Sequence, residues 1–291
     1  MIKLFWNTHN QKKINGIEDR DFICGKYHRE NSDKWIYEIL KKVQFKKIQN
    51  EDELQKNDTL LIIDSNVVSK ADLYSKLKLT CSKIFLIHLG DETGLHNPSE
   101  IYRNCNYVWR SFCSNRYFDN NKVSCLPLGY KSGIVLNEKI KKREYKWSFI
   151  GTPHKSSRHD LLFQLSDIKP SYSFSTKKFN NDILGAKDMN NVLSSTEFLP
   201  CPNGFVHPET YRVYEALESG CIPIVENAFK YYDRLLPNNP FLKIDMWSGA
   251  KNIIQNWKQE QIKKQEECKM WWIKHKEKLQ KTINEKISYE R

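Results

Sequence analysis

The chain has 291 residues, of which 39% are hydrophobic, which is enough for two domains with real cores and excludes an intrinsically disordered protein. It contains no long uncharged apolar run, and its first residues, MIKLFW, turn polar too quickly for a signal peptide, so we expect a soluble, cytoplasmic protein without a transmembrane segment. The formal net charge of +12 comes from lysines scattered over the chain, which indicates a solvated surface rather than a dedicated nucleic-acid-binding face.

The first half of the sequence alternates apolar runs with amphipathic segments. The apolar runs are typical of buried parallel strands, and the amphipathic segments are typical of helices. We predict strands at 2–6, 59–63, 83–89, 107–110 and 123–128, and helices at 32–43 and 70–79. This alternation predicts an α/β domain with a parallel sheet. The loop that begins with Asn7, Thr8 and His9 then lies at the carboxyl edge of the sheet, where ligands bind, although a plain exposed loop fits as well.

Two adjacent acids follow the apolar strand at 83–89 directly. Asp91 and Glu92 stand in a short segment bounded by glycines, in the place where open α/β sheets keep their active groups. The alternative is that they cap the next turn or form ion pairs with Arg103 or Arg110.

The second half begins after a charged run at 137–146, which we interpret as the linker between two domains. A strand at 145–150 leads through a glycine turn into a helix at 159–165. This loop carries Lys155, Ser157 and Arg158, and its backbone and cations suit an anion. The pattern is not a Walker loop. A basic surface loop is the alternative.

The stretch PETYRVYEALESGCIPIV, residues 208–225, reads as a helix, a glycine turn and a short buried strand. The helix would begin near Glu209, and its first N–H groups suit a diphosphate. Arg212 and Glu215 are polar residues in an otherwise apolar element: a guanidinium matches a phosphate, and a carboxylate matches a ribose diol. The alternative is a packing helix in which these two side chains form a salt bridge.

The eight cysteines show no CxxC pair and no zinc-like spacing. Most stand beside apolar residues, so we expect buried free thiols in a reducing compartment. A disulfide among Cys105, Cys113 and Cys125 remains an alternative for a secreted protein.

The sequence EALESGCIPIV, with an arginine three positions before its first glutamate, resembles the nucleotide-binding signature of the exostosin-like glycosyltransferases. Within that group the similarity is nearest to the xylosyltransferases, including ribitol xylosyltransferase and virus-encoded relatives. The resemblance implies a GT-B fold, in which two Rossmann-like domains face each other across a cleft and the last helix crosses back to the first domain. We therefore expect an acceptor domain at 1–136 with 268–291 packed against it, and a nucleotide-sugar domain at 145–267.

The resemblance also implies an inverting transfer of a sugar, with xylose favoured, from a UDP-sugar to a hydroxyl of a glycan acceptor. Asp91 or Glu92 would remove the acceptor proton, and Asn7, Thr8 and His9 would contact the acceptor. We expect no cofactor and no metal. The residues assigned to the nucleotide sugar are Gly151, Lys155, Ser157, Arg158, Asn203, Gly204, Glu209, Thr210, Tyr211, Arg212 and Glu215.

Two other function classes stay open at this point. Another nucleotide-dependent Rossmann enzyme is disfavoured because the chain has no glycine fingerprint. A basic protein that binds nucleic acid or an anionic glycan without catalysis requires a contiguous cationic face with aromatic residues, and the scattered lysines disfavour it.

Overall fold

The chain divides into two α/β units, each built on one parallel sheet. Unit 1 comprises Met1–Leu128 and Glu277–Arg291, and unit 2 comprises Gly129–Lys276. The computed structural model describes residues 1–7, 20–65, 67, 70–137, 143–176, 184–258 and 260–289, without the side chains at 7, 20–28 and 228. Among the described helices, none has the length and apolar character needed to cross a bilayer.

Unit 1 contains a six-stranded sheet in the order β2-β1-β3-β4-β5-β6, with all strands parallel. Its strands are β1 Ile2–Asn7, β2 Lys46–Ile48, β3 Thr59–Asp64, β4 Lys83–His88, β5 Tyr107–Arg110 and β6 Val123–Cys125. Its helices are α1 Arg20–Ile39, α2 Ala71–Thr80, α3 Ser99–Asn104 and α4 Asn115–Phe118. The strands β3 and β4 are almost wholly buried, because both faces of a parallel sheet are covered. The short strand β2 was not predicted, since only one of its three residues is buried.

Unit 2 contains a five-stranded parallel sheet in the order β11-β10-β9-β7-β8. Its strands are β7 Tyr145–Gly151, β8 Ser171–Ser175, β9 Thr196–Cys201, β10 Ile222–Glu226 and β11 Leu242–Ile244. Its helices are α5 Arg158–Gln164, α6 Ala186–Ser194, α7 Tyr211–Ser219, α8 Tyr231–Leu235, α9 Trp247–Gln255 and α10 Gln261–Tyr289. The core of this unit packs α5 and α9 against the sheet through buried apolar side chains such as Trp147, Phe149, Leu161 and Trp247.

Helix α10 belongs to both units, since its residues from Glu277 onward are part of unit 1. In unit 1 the amide of Gln280 donates hydrogen bonds to the backbone oxygen and to Oε1 of Glu38, at 3.0 and 3.2 Å. In unit 2 the indole of Trp272 and the ammonium of Lys276 both donate to Glu218 Oε1 at 2.7 Å. The last helix of the chain thus ends in the first unit, as the resemblance implies.

A disulfide joins Cys113 and Cys125 in unit 1, with 5.6 Å between their Cα atoms. The prediction of free thiols is therefore wrong for this pair: the loop after β5 brings Cys113 beside the end of β6, within bonding reach. The described free cysteines, at 81, 105, 201, 221 and 268, are all buried.

Arg143 stands in the predicted linker, yet its side chain is buried in unit 2. Its guanidinium donates to the backbone oxygens of Leu193 and Ser194 at the end of α6, and to those of Ser219 and Gly220 at the end of α7. A helix leaves its last carbonyl groups without partners and carries a partial negative charge there. One cation thereby satisfies the ends of two helices, so this part of the charged run is structural.

We expect Arg143→Gln to lower the free energy of unfolding of the protein by about 3 kcal/mol, because several buried carbonyls lose a charged donor. Urea denaturation followed by circular dichroism measures this change. The control is Lys251→Gln, which removes an ion pair of 2.7 Å to Asp167 on the surface of the same unit and should cost less than about 1 kcal/mol. Equal effects of the two substitutions would contradict the capping role.

Candidate functional site

The carboxyl edge of the unit 2 sheet gathers the residues predicted from two separate stretches of sequence. Strands β7, β9 and β10 run parallel and therefore end at the same edge. The loop that begins with Gly151 follows β7, and the loop that leads into α7 follows β9. Open α/β sheets bind their ligands at this edge.

Arg212 lies in the first turn of α7 and reaches across to the end of β7. Its Nη2 atom donates to the backbone oxygen of Ile150 at 2.8 Å, and its guanidinium carbon lies 5.1 Å from the centroid of the Phe149 ring. The side chain is partly exposed, and within the described residues it makes no other hydrogen bond or ion pair. The fold therefore holds the guanidinium in position while most of its N–H groups stay available.

Gly151 makes this approach possible. Its φ is +146°, and a Cβ at this position would lie 2.9 Å from Nη2 of Arg212. A side chain here would strain the backbone and displace the guanidinium.

Glu215 lies one helical turn after Arg212, and only 5% of it is exposed. Within the part of the chain that the structure describes, no side chain pairs directly with its carboxylate. Burial raises the pKa of Glu215, and the charges of Arg212 and Lys131 oppose that rise. An ionised carboxylate buried in this way is unfavourable unless a ligand supplies the missing hydrogen bonds.

Glu209, by contrast, faces the interior. It is 1% exposed, and its carboxylate accepts hydrogen bonds from the hydroxyls of Tyr214 and Tyr231. A buried carboxylate with two hydroxyl donors already has its partners, and the nucleotide contact predicted for Glu209, at the N-terminus of the helix, stays a prediction. The Glu209 side chain holds α8 against α7.

The loop after β7 is tied to its neighbours by side-chain hydrogen bonds. The hydroxyl of Ser157 donates to Glu226 Oε2 at 2.7 Å and accepts from Trp247 Nε1 at 2.9 Å. Nη1 of Arg158 donates to the backbone oxygen of Thr152 at 3.0 Å. Ser157 precedes α5 but makes no side-chain cap, because its hydroxyl donates to Glu226.

The loop after β9 is anchored by the same carboxylate. The backbone N–H of Asn203 donates to Glu226 Oε2 at 3.0 Å, and the Nζ atom of Lys155 lies 5.7 Å from the ring centroid of Phe205. The two loops therefore stand side by side. Of the other predicted residues here, Gly204 and Tyr211 are partly exposed, and Thr210 is the N-cap of α7 but makes no side-chain cap.

The predicted acids of unit 1 differ sharply in their surroundings. The side chain of Asp91 is fully buried and accepts a hydrogen bond of 2.6 Å from Nη2 of Arg110, the ion-pair alternative noted from sequence. Glu92 is exposed. Asn7 ends β1 opposite Asp64, whereas Thr8 and His9 lie outside the described residues.

Several residues of these surroundings were not assigned a role from sequence. Lys131 stands in the glycine-bounded stretch GYKSG. Its charge opposes the rise in the pKa of Glu215 because the fold brings the two residues near each other. His96, in the loop after β4, lies beside Asp91. Neither residue directly follows a strand or starts a helix, so no local pattern signals it.

We expect Gly151→Ala to destabilise unit 2 by roughly 1–3 kcal/mol, because the backbone strain adds to the clash with Arg212. Thermal unfolding followed by circular dichroism measures this. Gly185→Ala is the matched control: the nearest atom to its added Cβ is 3.9 Å away, so a change within about 1 kcal/mol is expected. A neutral Gly151→Ala variant would show that Arg212 does not need this space.

We expect Glu215→Gln to stabilise the ligand-free protein by about 1–3 kcal/mol at pH 8, because it removes a buried charge without a direct partner. A carboxyl whose pKa is raised on folding opposes folding fully above that raised pKa and ceases to do so below its ordinary value of 4.5. The gain should therefore fade as the pH is lowered from 8 to 4, as unfolding curves at each pH will test. Glu144→Gln, at an exposed position of the same unit, should show no such trend, and a gain that does not depend on pH would contradict the argument.

Comparison with known proteins gives a family and a fold. Residues 134–290, more than half of the chain, match the sequence profile of the family described as RXYLT1 C-terminal domain. No curated protein matches the sequence significantly.

Two crystal structures resemble this one. An α1,3-fucosyltransferase has a TM-score of 0.52 and 14% identity, with 91% of this chain and 80% of that chain covered. The α1,3-fucosyltransferase with GDP-fucose has a TM-score of 0.46 and 14% identity, with coverages of 87% and 77%. Similarity at this level of identity concerns the fold alone, and the first of the two identifies it as GT-B. The chain thus has the GT-B fold of a glycosyltransferase and belongs to the RXYLT1 C-terminal domain family.

Proposed function

We propose that the protein is an inverting glycosyltransferase that moves a sugar from a nucleotide sugar to a hydroxyl of a glycan acceptor. The observation that carries this proposal is the pair formed by Glu215 and Arg212 on α7: a buried carboxylate without a direct partner, and one turn away a guanidinium with N–H groups to spare. A nucleotide diphosphate presents two kinds of group, hydroxyls and phosphates, that satisfy these two side chains together.

The diphosphate binds to cations and N–H groups at the carboxyl edge of unit 2. Arg212 offers a planar fork that matches phosphate oxygens, and the first turn of α7, from Thr210 to Tyr211, offers backbone N–H groups. Lys155 and Arg158 come from the neighbouring loop. Their positive charges stabilise the negative charge that develops on the leaving diphosphate. Such stabilisation is usually the largest contribution to catalysis of this kind.

The ribose binds to Glu215. A carboxylate accepts two hydrogen bonds from a diol, and each bond supplies a partner that the buried group lacks in the free protein. The energy that burial costs in the free protein is then recovered in the complex. In this proposal Ser157 and Glu226 hold the loops, while Gly151, Asn203 and Gly204 line the donor.

The transfer proceeds by direct displacement. The acceptor hydroxyl, near Asn7, Thr8 and His9 in this proposal, attacks the anomeric carbon on the face opposite the diphosphate while a base of unit 1 takes its proton. Of the two acids proposed from sequence, Glu92 is the exposed one. The proposal includes no metal cofactor, and its preferred donor is UDP-xylose, as the sequence resemblance implies.

Isothermal titration calorimetry with UDP, GDP, ADP and UMP tests the nucleotide site. We expect UDP to bind, and Arg212→Gln and Glu215→Gln each to weaken its binding by about tenfold or more, since each loses charged hydrogen bonds worth roughly 1.5–3 kcal/mol. The diphosphate should matter as well, so that UDP binds more tightly than UMP.

The control for this titration is Lys187→Gln, an exposed position of α6 in the same unit, which should bind UDP as the wild type does. If no nucleotide binds, the proposed function is wrong. Tight binding of GDP in place of UDP would keep the reaction class and change the donor.

A further inference from the structure

The buried side chain of Asp91 is held by a network at the carboxyl end of β4. Its carboxylate receives Nη2 of Arg110 at 2.6 Å, and Nη1 of the same guanidinium donates to the hydroxyl of Tyr102 at 3.0 Å. The Tyr102 hydroxyl lies 2.7 Å from Nδ1 of His88. Arg110 is itself wholly buried, and Asp91 is the negative charge that balances it. The Oδ2 atom of Asp91 is the one that accepts the hydrogen bond from Arg110.

The other carboxylate oxygen of Asp91 faces His96. The backbone N–H of His96 donates to Oδ1 at 3.3 Å, and the imidazole Nδ1 lies 3.8 Å from the same atom. Nδ1 is buried and makes no hydrogen bond, yet 41% of the side chain is exposed. The ring therefore turns Nδ1 toward Asp91 and presents its other atoms to the outside.

The loop that carries His96 is fixed at both ends. The N–H of Gly94 donates to the backbone oxygen of Asp91 at 3.0 Å, which closes a tight turn. Nη2 of Arg116 donates to the backbone oxygen of His96 at 3.3 Å. A histidine on such a loop keeps its position relative to Asp91 without a ligand.

We propose that His96 is the general base of the transfer and that Asp91 is its positioning residue, an inference that rests on the proposed function. Asp91 itself is unsuited to take a proton from an acceptor, because its side chain is wholly buried and paired with Arg110. Glu92 is exposed but has no partner to orient it within the described residues. His96 has an exposed ring, an adjacent carboxylate and a fixed backbone.

The proposed step is balanced as follows. Nε2 of His96 accepts the proton of the acceptor hydroxyl as its oxygen forms a bond to the anomeric carbon. The bond from that carbon to the diphosphate oxygen breaks, and its electron pair stays on the diphosphate. The imidazolium that forms is stabilised by Nδ1–H donating to Asp91, which requires a shift of less than 1 Å from the present 3.8 Å.

The test measures release of UDP from UDP-xylose, with water as the acceptor, in the full chain. We expect His96→Gln to slow kcat by about 10²-fold or more, while calorimetry shows UDP affinity within twofold of wild type. The control is Lys187→Gln, at an exposed position of α6 in unit 2, which should leave kcat unchanged. Added imidazole should restore part of the activity of His96→Ala.

The Asp91→Asn variant tests whether Asp91 positions the base. The carboxylate of Asp91 faces Nδ1 of His96 and is paired with Arg110, and Arg116 of α4 holds the backbone of His96. Asp91→Asn removes the negative charge beside the ring and should reduce kcat, with unchanged UDP affinity.

Three results would overturn the inference. The first is full activity of His96→Gln together with a large loss in Glu92→Gln, which would make Glu92 the base. The second is a His96→Ala variant that imidazole does not rescue. The third is an Asp91→Asn variant that keeps the kcat of the wild type. In each case UDP would still bind, so the proposed function would stand, whereas failure of the wild type to bind UDP would reject that function instead.

Discussion

Holding Glu215 in a largely buried position without a direct partner for its carboxylate among the described residues is the constraint on which the arrangement of unit 2 depends. A neutral side chain of similar size would pack there at lower cost. The helix that carries Glu215 ends at Gly220, in the left-handed conformation that glycine adopts easily, and leads at once into a central strand of the sheet. The position of the carboxylate is thereby coupled to the core, and it cannot turn outward without disturbing that core.

Other buried charges of the same unit show what a purely structural charge looks like. Glu218, on the same helix, receives Trp272 and Lys276, and Glu209 receives two tyrosine hydroxyls. Arg143 donates to the carbonyls at the ends of two helices. Each of these groups is buried and has at least two hydrogen-bond partners. Burial alone therefore does not mark a binding site; a buried charge that lacks its partner does.

Unit 1 uses buried charge differently. Arg110 and Asp91 neutralise each other behind the carboxyl edge of the sheet, and Asp64, at the end of β3, is paired with Lys70 at 2.6 Å. Because these ion pairs are shielded from water, they hold the loops of that edge in place more firmly than exposed pairs would. Such an edge presents oriented side chains on a rigid support, which is what a catalytic group requires.

Local patterns in the sequence were sufficient for much of this description. Alternating apolar runs and amphipathic segments predicted the parallel sheet of unit 1, because the periodicity of burial is written into neighbouring residues. The stretch at 208–225 predicted the helix, its glycine end and the strand after it, since each of these depends on a few adjacent side chains. The resemblance carried by that stretch also implied the GT-B fold.

Partners distant in sequence could not be foreseen, because they meet only when the chain has folded. Glu209 and Glu215 look alike in one stretch of sequence. The fold supplies the hydroxyls of Tyr214 and Tyr231 to the first and leaves the second without a direct partner among the described residues. The same holds for Arg143, which a charged run presented as linker and which donates to the end of a distant helix. His96 is only five residues from Asp91, but the loop conformation that brings the two side chains together carried no local signal. Composition and periodicity specify which segments are buried, whereas the identity of the groups that face each other inside is a property of the assembled sheet and helices.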